Sequence, residues 1–431
     1  MRRFLYYVGF LIMAIGSLQA QRHLTLSDAI EQALSHNESL SQAVIDAQIA
    51  QEQSQRANAI FMPQVDMAYT ALVTNNPLNS FGFKLNQEVV TQADFNPMLL
   101  NDPGTNRNFS AELQLRQPLL NLDAIYQCQS ARAMSRVKRY SQQRQEEYLR
   151  FKIQKAYMQI ALAYKNKQMM DQVVAMAQSF ADRAKAMHDE GLIQTADWLE
   201  AKNYLLKTQT QGQEAESGVA NSCDQLSFLM GQPIGEVYTV DEIEAEVPDI
   251  LASQWGDRSD IRAFEAGITM AQHNVKANKM TFLPRINAFG SYQFNDNHFA
   301  QFDANSYLVG ITLSWKLFGG MQRIHNVRTA RLNVEKMRSK LHETEQQAQV
   351  DYNQALRTYS DLNKEVRQVT SMVNQMEEAW RIQSDRYEQG LAPTSDLLRV
   401  QSQLAQQRLA LAMTYFKRNV NMAWMQLITG K

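Results

Sequence analysis

Two carboxylate pairs are the residues best spaced for acid–base chemistry in this chain, Asp197 with Glu200 and Asp385 with Glu388. Each pair is spaced i,i+3, which puts both side chains on one face of a helix. A general acid or base also needs a partner that positions or receives the proton, and no His, Cys or metal ligand stands beside either pair. Solvated or lumen-facing charge is what remains for them. The seven histidines are scattered, with no HExxH or CxxC spacing, so the sequence offers neither a metal site nor a cofactor site. Met169, Met170, Met176 and Met187 fall at helical spacing and read as core filler. A formal net charge of −1 leaves no basic excess for nucleic acid. The sequence contains no recognisable enzyme.

What must position these carboxylates is an exported scaffold. Met1 to Ala20 reads as a secretory signal: Arg2 and Arg3, an apolar run from Phe4 to Ile15, then Ser17-Leu18-Gln19-Ala20 with cleavage after Ala20. Beyond residue 20 no run of 18 apolar residues occurs, so any crossing of a membrane must use strands. Tyr307 to Leu317 supplies one. Tyr307, Val309, Ile311, Leu313, Trp315 and Leu317 are all apolar, while Leu308, Gly310, Thr312, Ser314 and Lys316 are mostly small or polar. This period-two pattern gives one apolar side and one wet side; alone it fits a half-buried strand of a soluble sandwich, while the aromatic residues at both ends and the rest of the chain favour a lipid-facing strand of a membrane barrel. The same alternation marks strands at about 64–74, 108–118 and 285–295, and the fourth extends over about 306–318.

Helices make up the rest. Thr25-Leu26-Ser27-Asp28 is a capping box that opens a helix running to about Ala59. Asn75 to Asn108, rich in Asn, Pro and Phe, reads as a loop. After Pro118 there is no Gly or Pro for 72 residues, until Gly191, and the seam Met170, Val173, Ala177, Phe180, Ala184, Met187 has coiled-coil spacing. A helix returns from Thr195 to about Met230. The stretch 232–256 is broken by prolines and glycines and is acidic, a connector. Then the plan repeats: a helix over 258–280, two strands, 69 residues from Met321 to Gln389 without Gly or Pro, and a last helix from Thr394 to Ile428.

The chain is therefore a duplication, residues 21–231 and 257–431 flanking the connector 232–256. Phe61-Met62-Pro63-Gln64 answers Phe282-Leu283-Pro284-Arg285. Gly191-Leu192-Ile193-Gln194-Thr195-Ala196-Asp197 answers Gly390-Leu391-Ala392-Pro393-Thr394-Ser395-Asp396. Each repeat gives two strands, four in all, and a membrane barrel needs at least about eight, so several chains must share one. Arithmetic permits two copies or three. Long helices reaching on the order of 100 Å match the gap between two bacterial membranes. A conduit and a coiled-coil spacer or adhesin without an open lumen both fit. Wet, small residues on one face of every strand belong to the conduit. Cys128 and Cys223 lie 63 and 32 residues from the turn at Gly191 on antiparallel helices. The 63 − 32 = 31-residue offset is about 45 Å, too far for a disulfide.

The leader, the Leu24-Thr25-Leu26-Ser27-Asp28-Ala29-Ile30 opening, the Met-Pro and Leu-Pro approaches to the strands and the two Gly-Leu-x-x-Thr-x-Asp turns resemble the TolC family of outer-membrane efflux and secretion channels, over about residues 22–430. The resemblance implies a homotrimer in outer-membrane lipid with a twelve-stranded β-barrel. It also implies a periplasmic α-helical coiled-coil barrel, which works with a periplasmic adaptor and an inner-membrane efflux pump or ABC exporter. By position it implies a gate at Asp197, Tyr387 and Asp396. Ala392 and Arg399 depart from the family pattern, where an arginine and a second aspartate stand. The expected adaptor rim is Gly191, Leu192 and Thr195 with Gly390, Leu391 and Thr394, the two threonines capping the helices that follow.

Overall fold

The computed structural model describes residues 22–241, 258–389 and 391–430. The leader, the connector from 242 to 256, Gly390 and the side chain of Thr394 lie outside the described residues. In chain order the elements are β1 (Arg22–His23), α1 (Leu26–His36), α2 (Glu38–Asn58), β2 (Gln64–Thr74), α3 (Pro77–Asn86), α4 (Pro97–Asn101), β3 (Asn106–Leu120), α5 (Leu122–Asp189), α6 (Thr195–Met230), β4 (Tyr238–Thr239), α7 (Ser259–Met280), β5 (Arg285–Asp296), β6 (Ala304–Ser314), α8 (Gln322–Glu388) and α9 (Thr394–Thr429). Two compact units divide them. One is built from Met1–Asp46, Arg139–Arg262 and His342–Lys431, the other from Ala47–Lys138 and Ala263–Leu341, so each unit draws on both repeats. Among the described residues no helix is long and apolar enough to cross a membrane.

In the second unit, β2, β3, β5 and β6 form one antiparallel sheet in that order. The register brings every apolar set to one face. Met67 stands opposite Leu113, Leu113 opposite Tyr292, and Tyr292 opposite Tyr307. The other face carries Asp66, Glu112, Gln114, Arg116, Ser291, Gln293 and Thr312, with Arg116 and Asp66 paired at 2.6 Å. On that wet face Phe289 roofs Gly310, where an added Cβ would meet its ring at 2.8 Å. Among the described residues, no strand lies beside the outer edges of β2 and β6.

The fourth strand is as long as its alternation, 11 residues, but starts and ends three residues earlier. β6 stops at Ser314, opposite Arg285, because the next residue back on β5 is Pro284, which has no N–H to continue the ladder. Trp315 and Leu317 therefore lie past the strand, and the Trp315 indole donates to the Phe282 carbonyl at 2.9 Å. β3, by contrast, is longer than expected, starting at Asn106 and carrying Pro118 at a register shift. The expected loop after β2 contains α3 and α4. Each begins at a proline behind an asparagine: Asn76 Oδ1 accepts from the Asn79 N–H, and Asn96 Oδ1 from the Met98 N–H.

In the first unit the opening helix is two helices. Thr25 caps α1 through the Asp28 N–H at 3.2 Å, one of the two bonds of the expected capping box. The helix then breaks at Asn37, whose amide donates to the Leu229 carbonyl at 2.8 Å while its Oδ1 accepts from the Leu40 N–H at 2.9 Å. One buried side chain thus ends α1's partner α6 and caps α2. Gly231 fits here because a Cβ would stand 2.3 Å from the His36 carbonyl oxygen. Leu24, Ala29 and Ala33 pack with Ile153, Tyr157 and Ile160 of α5 and with Cys223, Leu226 and Met230 of α6. In the second repeat Tyr352, Ala355 and Tyr359 of α8 meet Met422, Met425 and Ile428 of α9. The long helices α5 and α8 run 68 and 67 residues without a break.

Cys128 and Cys223 are buried free thiols, one in each unit. Burial pushes both above the ordinary thiol range, so at neutral pH neither offers thiolate. Native protein is expected to react with a thiol reagent only slowly at pH 7.5, and both sites fully once denatured. Mass spectrometry finding a Cys128–Cys223 disulfide in native protein would refute this packing.

The start of α7 is fixed by charge. Arg258 donates two bonds to Asp260, at 3.0 and 2.6 Å, Arg144 approaches the same carboxylate at 3.6 Å, and Ser259 donates to Glu147 at 2.5 Å. Burial opposes ionisation of Asp260, yet the two guanidiniums hold its carboxyl below the usual range. A depressed folded-state value adds stability above the ordinary carboxylate pKa that is lost as pH falls through the lowered one. Asp260→Asn should lower the melting temperature at pH 7 and shrink the acid-induced drop. The cost falls short of the roughly 3–5 kcal/mol of a fully buried pair, since Asp260 retains some exposure.

Candidate functional site

Among the described residues, the expected gate and rim residues lie where α5 leads into α6 and α8 into α9, all in the first unit. α5 ends at Asp189, two residues before Gly191, whose φ of 75° suits a residue without a side chain. The Gly191 N–H reaches the His188 carbonyl and the Leu192 N–H reaches the Met187 carbonyl, both at 2.8 Å, the paired bonds that close a helix C-terminus. At the second turn the Leu391 N–H reaches the Arg386 carbonyl at the same 2.8 Å. Both turns present their leucine outward: Leu192 and Leu391 are each 65% exposed.

Neither threonine caps its helix. Thr195 is the first residue of α6, behind Gln194, whose N–H bonds Asp197 Oδ2 at 3.3 Å. Asp197 thereby also sits where a helix N-terminus favours negative charge. The Thr195 hydroxyl instead faces His188 Nε2 at 3.1 Å, and the His188 ring stacks on Trp198 with centroids 5.2 Å apart. α9 likewise starts at Thr394 with Pro393 in the cap position.

Between the two helix pairs lies a cavity of about 790 Å³, its wall including Arg183, Asp197, Glu200, Tyr204, Leu398 and Arg399. Asp396 pairs with Arg399 at 3.7 Å, one helical turn away. Both side chains are largely exposed, and the pair contributes little to stability by itself. Tyr387 lies under the Arg183 guanidinium at 4.9 Å. Burial raises the Tyr204 phenol, with a Ser402 hydrogen bond opposing it in part. Asp197, Tyr387 and Asp396 are thus brought to one cluster with two arginines. Arg183 escaped the sequence reading because its contact joins the two repeats, and no local spacing announces it. The arrangement holds side chains across a seam by charge and stacking.

The family model described as outer membrane efflux protein matches residues 29–232 and 255–429, and the chain belongs to that family. It is a family of transport proteins rather than enzymes. Among solved structures the chain is similar to the CmeC outer membrane channel of Campylobacter jejuni, with a TM-score of 0.79 at 15% identity, covering 94% of this chain and 85% of that one. It is similar to the outer membrane protein VceC of Vibrio cholerae, with a TM-score of 0.77 at 17% identity and coverage of 94% and 96%. CusC gives a TM-score of 0.77 at 16% identity, with coverage of 94% and 91%. At these identities the shared property is the fold. Among curated proteins none matches this chain.

Proposed function

We propose that three copies, exported by the leader at residues 1–20, form a passive channel. Together with a periplasmic adaptor and an inner-membrane pump or ABC exporter, it passes small molecules such as drugs, dyes or metal ions, or polypeptides, out of the cell. The observation that carries this is the sheet, with one apolar face, one wet face and two unpaired edges. In lipid each unpaired backbone group costs several kcal/mol, so β6 of one copy must meet β2 of the next. Three copies close twelve strands with the wet faces inward. At the two turns, Gly191, Leu192 and Thr195 with Gly390, Leu391 and Thr394 form the rim that an adaptor's helical hairpins cap. Asp197, Tyr387 and Asp396 narrow the lumen beside it, with Arg183 and Arg399 as their basic partners.

Single-channel recording in planar bilayers tests this. Purified oligomer should give reproducible conductance steps, and their absence would overturn the channel. Arg183→Gln removes the guanidinium over Tyr387 and should increase the mean conductance, with Arg183→Lys intermediate, because a lysine retains charge but stacks less well. An unchanged conductance in Arg183→Gln would remove Arg183 from the gate.

A further inference from the structure

Residues 75–105, between β2 and β3, form an ordered body rather than an open loop. The Phe81 and Phe95 rings meet edge-to-face at 5.6 Å, and Lys84 bonds Asp94 at 2.6 Å. That Lys84 bond, with those from the Thr91 backbone and hydroxyl, lowers the Asp94 carboxyl to about 2, so the tie persists through ordinary acid exposure.

Where this body sits is fixed by Gln87. Its amide donates to the Arg107 carbonyl at 2.8 Å and to Asn108 Oδ1 at 2.9 Å, and the Asn108 amide donates to Asn295 Oδ1 at 3.1 Å. Asn108 and Asn295 both belong to the wet face: Asn108 is one residue from Phe109 of the apolar set, and Asn295 one residue from Phe294. Both asparagines and Gln87 are buried. α3 also touches β6, where Ala304, again of the wet set, is 2% exposed. The insert therefore covers the wet side of the sheet at the end opposite its helices. In the same insert Leu78 and Met98 are each 80% exposed, and Phe95 and Leu99 are exposed too.

Resting on the reading above that the wet face lines a lumen, we propose that this insert is a second, outer constriction of the channel. Three copies hold Leu78, Phe95 and Met98 as an apolar collar around the exit path. Gln87 is its positioning residue. An apolar collar of this kind resists passage of hydrated ions while letting amphipathic molecules slide through, because water leaves a narrow apolar ring readily. It would favour apolar or amphipathic organic cargo over small hydrated ions.

The test is a single thiol in the collar. The two native cysteines are buried and protonated, so Met98→Cys, and Leu78→Cys as a second variant, can be labelled selectively with a bulky maleimide added to the outer side of a planar bilayer. Conductance of a labelled channel is expected to fall at least about threefold, as for a blocked constriction. In Gln87→Ala, where the anchor is gone, unlabelled conductance should rise and the block should weaken. Complete labelling of both variants, verified by mass, with unchanged conductance would place the insert outside the conduction path and overturn the proposal. So would failure of both thiols to label in the folded oligomer. If the unlabelled wild type gives no steps at all, the channel reading fails first, and the collar with it.

Discussion

Val309→Arg is expected to abolish the heat-resistant oligomer. Val309 is the middle residue of β6, on the apolar face, opposite Gly290. A guanidinium facing lipid there costs about 2–4 kcal/mol per copy, and each copy of the assembly bears it. Thr312→Arg, on the opposite face, should leave the oligomer intact, because its charge meets water. Leu313 is a weaker probe than its place in the alternation indicates. With β6 ending at Ser314 it is the next-to-last residue, where the cost of a charge falls toward the interface value. Oligomer recovered after heating, scored on a denaturing gel, separates the outcomes. Equal loss in Val309→Arg and Thr312→Arg would mean that the sheet's faces are assigned wrongly.

Export of a fluorescent dye should stop in Gly191→Val while the oligomer forms normally. The residue is held at φ 75°, where a β-branched side chain adds strain of order 1–3 kcal/mol, so the turn that presents Leu192 must rearrange. Leu192→Asp complements it: the turn keeps its glycine and its two 2.8 Å bonds, and only the exposed side chain changes. Export as fast as wild type in both variants, at equal surface abundance, would place the adaptor rim elsewhere.

The strands and long helices were legible because their signals are repeated along many residues. Alternation over eleven positions, or some seventy residues without Gly or Pro, outweighs any local ambiguity. What was misread depends on one residue's partner elsewhere in the chain. Asn37 interrupts the first helix because Leu229, remote in sequence, offers it a carbonyl. β6 ends early because Pro284, on its neighbour, cannot donate. The helices between β2 and β3 did carry a local sign, since Asn76-Pro77 and Asn96-Pro97 are both cap-and-first-turn pairs, yet the density of Asn and Pro reads first as loop. At the candidate gate, Asp197, Tyr387 and Asp396 came from a family resemblance, whereas Arg183 needed three dimensions. Thr195 and Thr394 look like caps by residue type, but the backbone enters each helix one residue earlier.

The two bare edges of the sheet have a genetic corollary. A chain that cannot satisfy its own edge strands reaches its final state only in company, so its stability is inseparable from the copies around it. A copy whose β6 edge is spoiled still offers a sound β2 edge and is recruited into rings it then prevents from closing. Such alleles should be dominant over a wild-type copy expressed beside them, whereas lesions that unfold the chain before it meets its neighbours should be recessive.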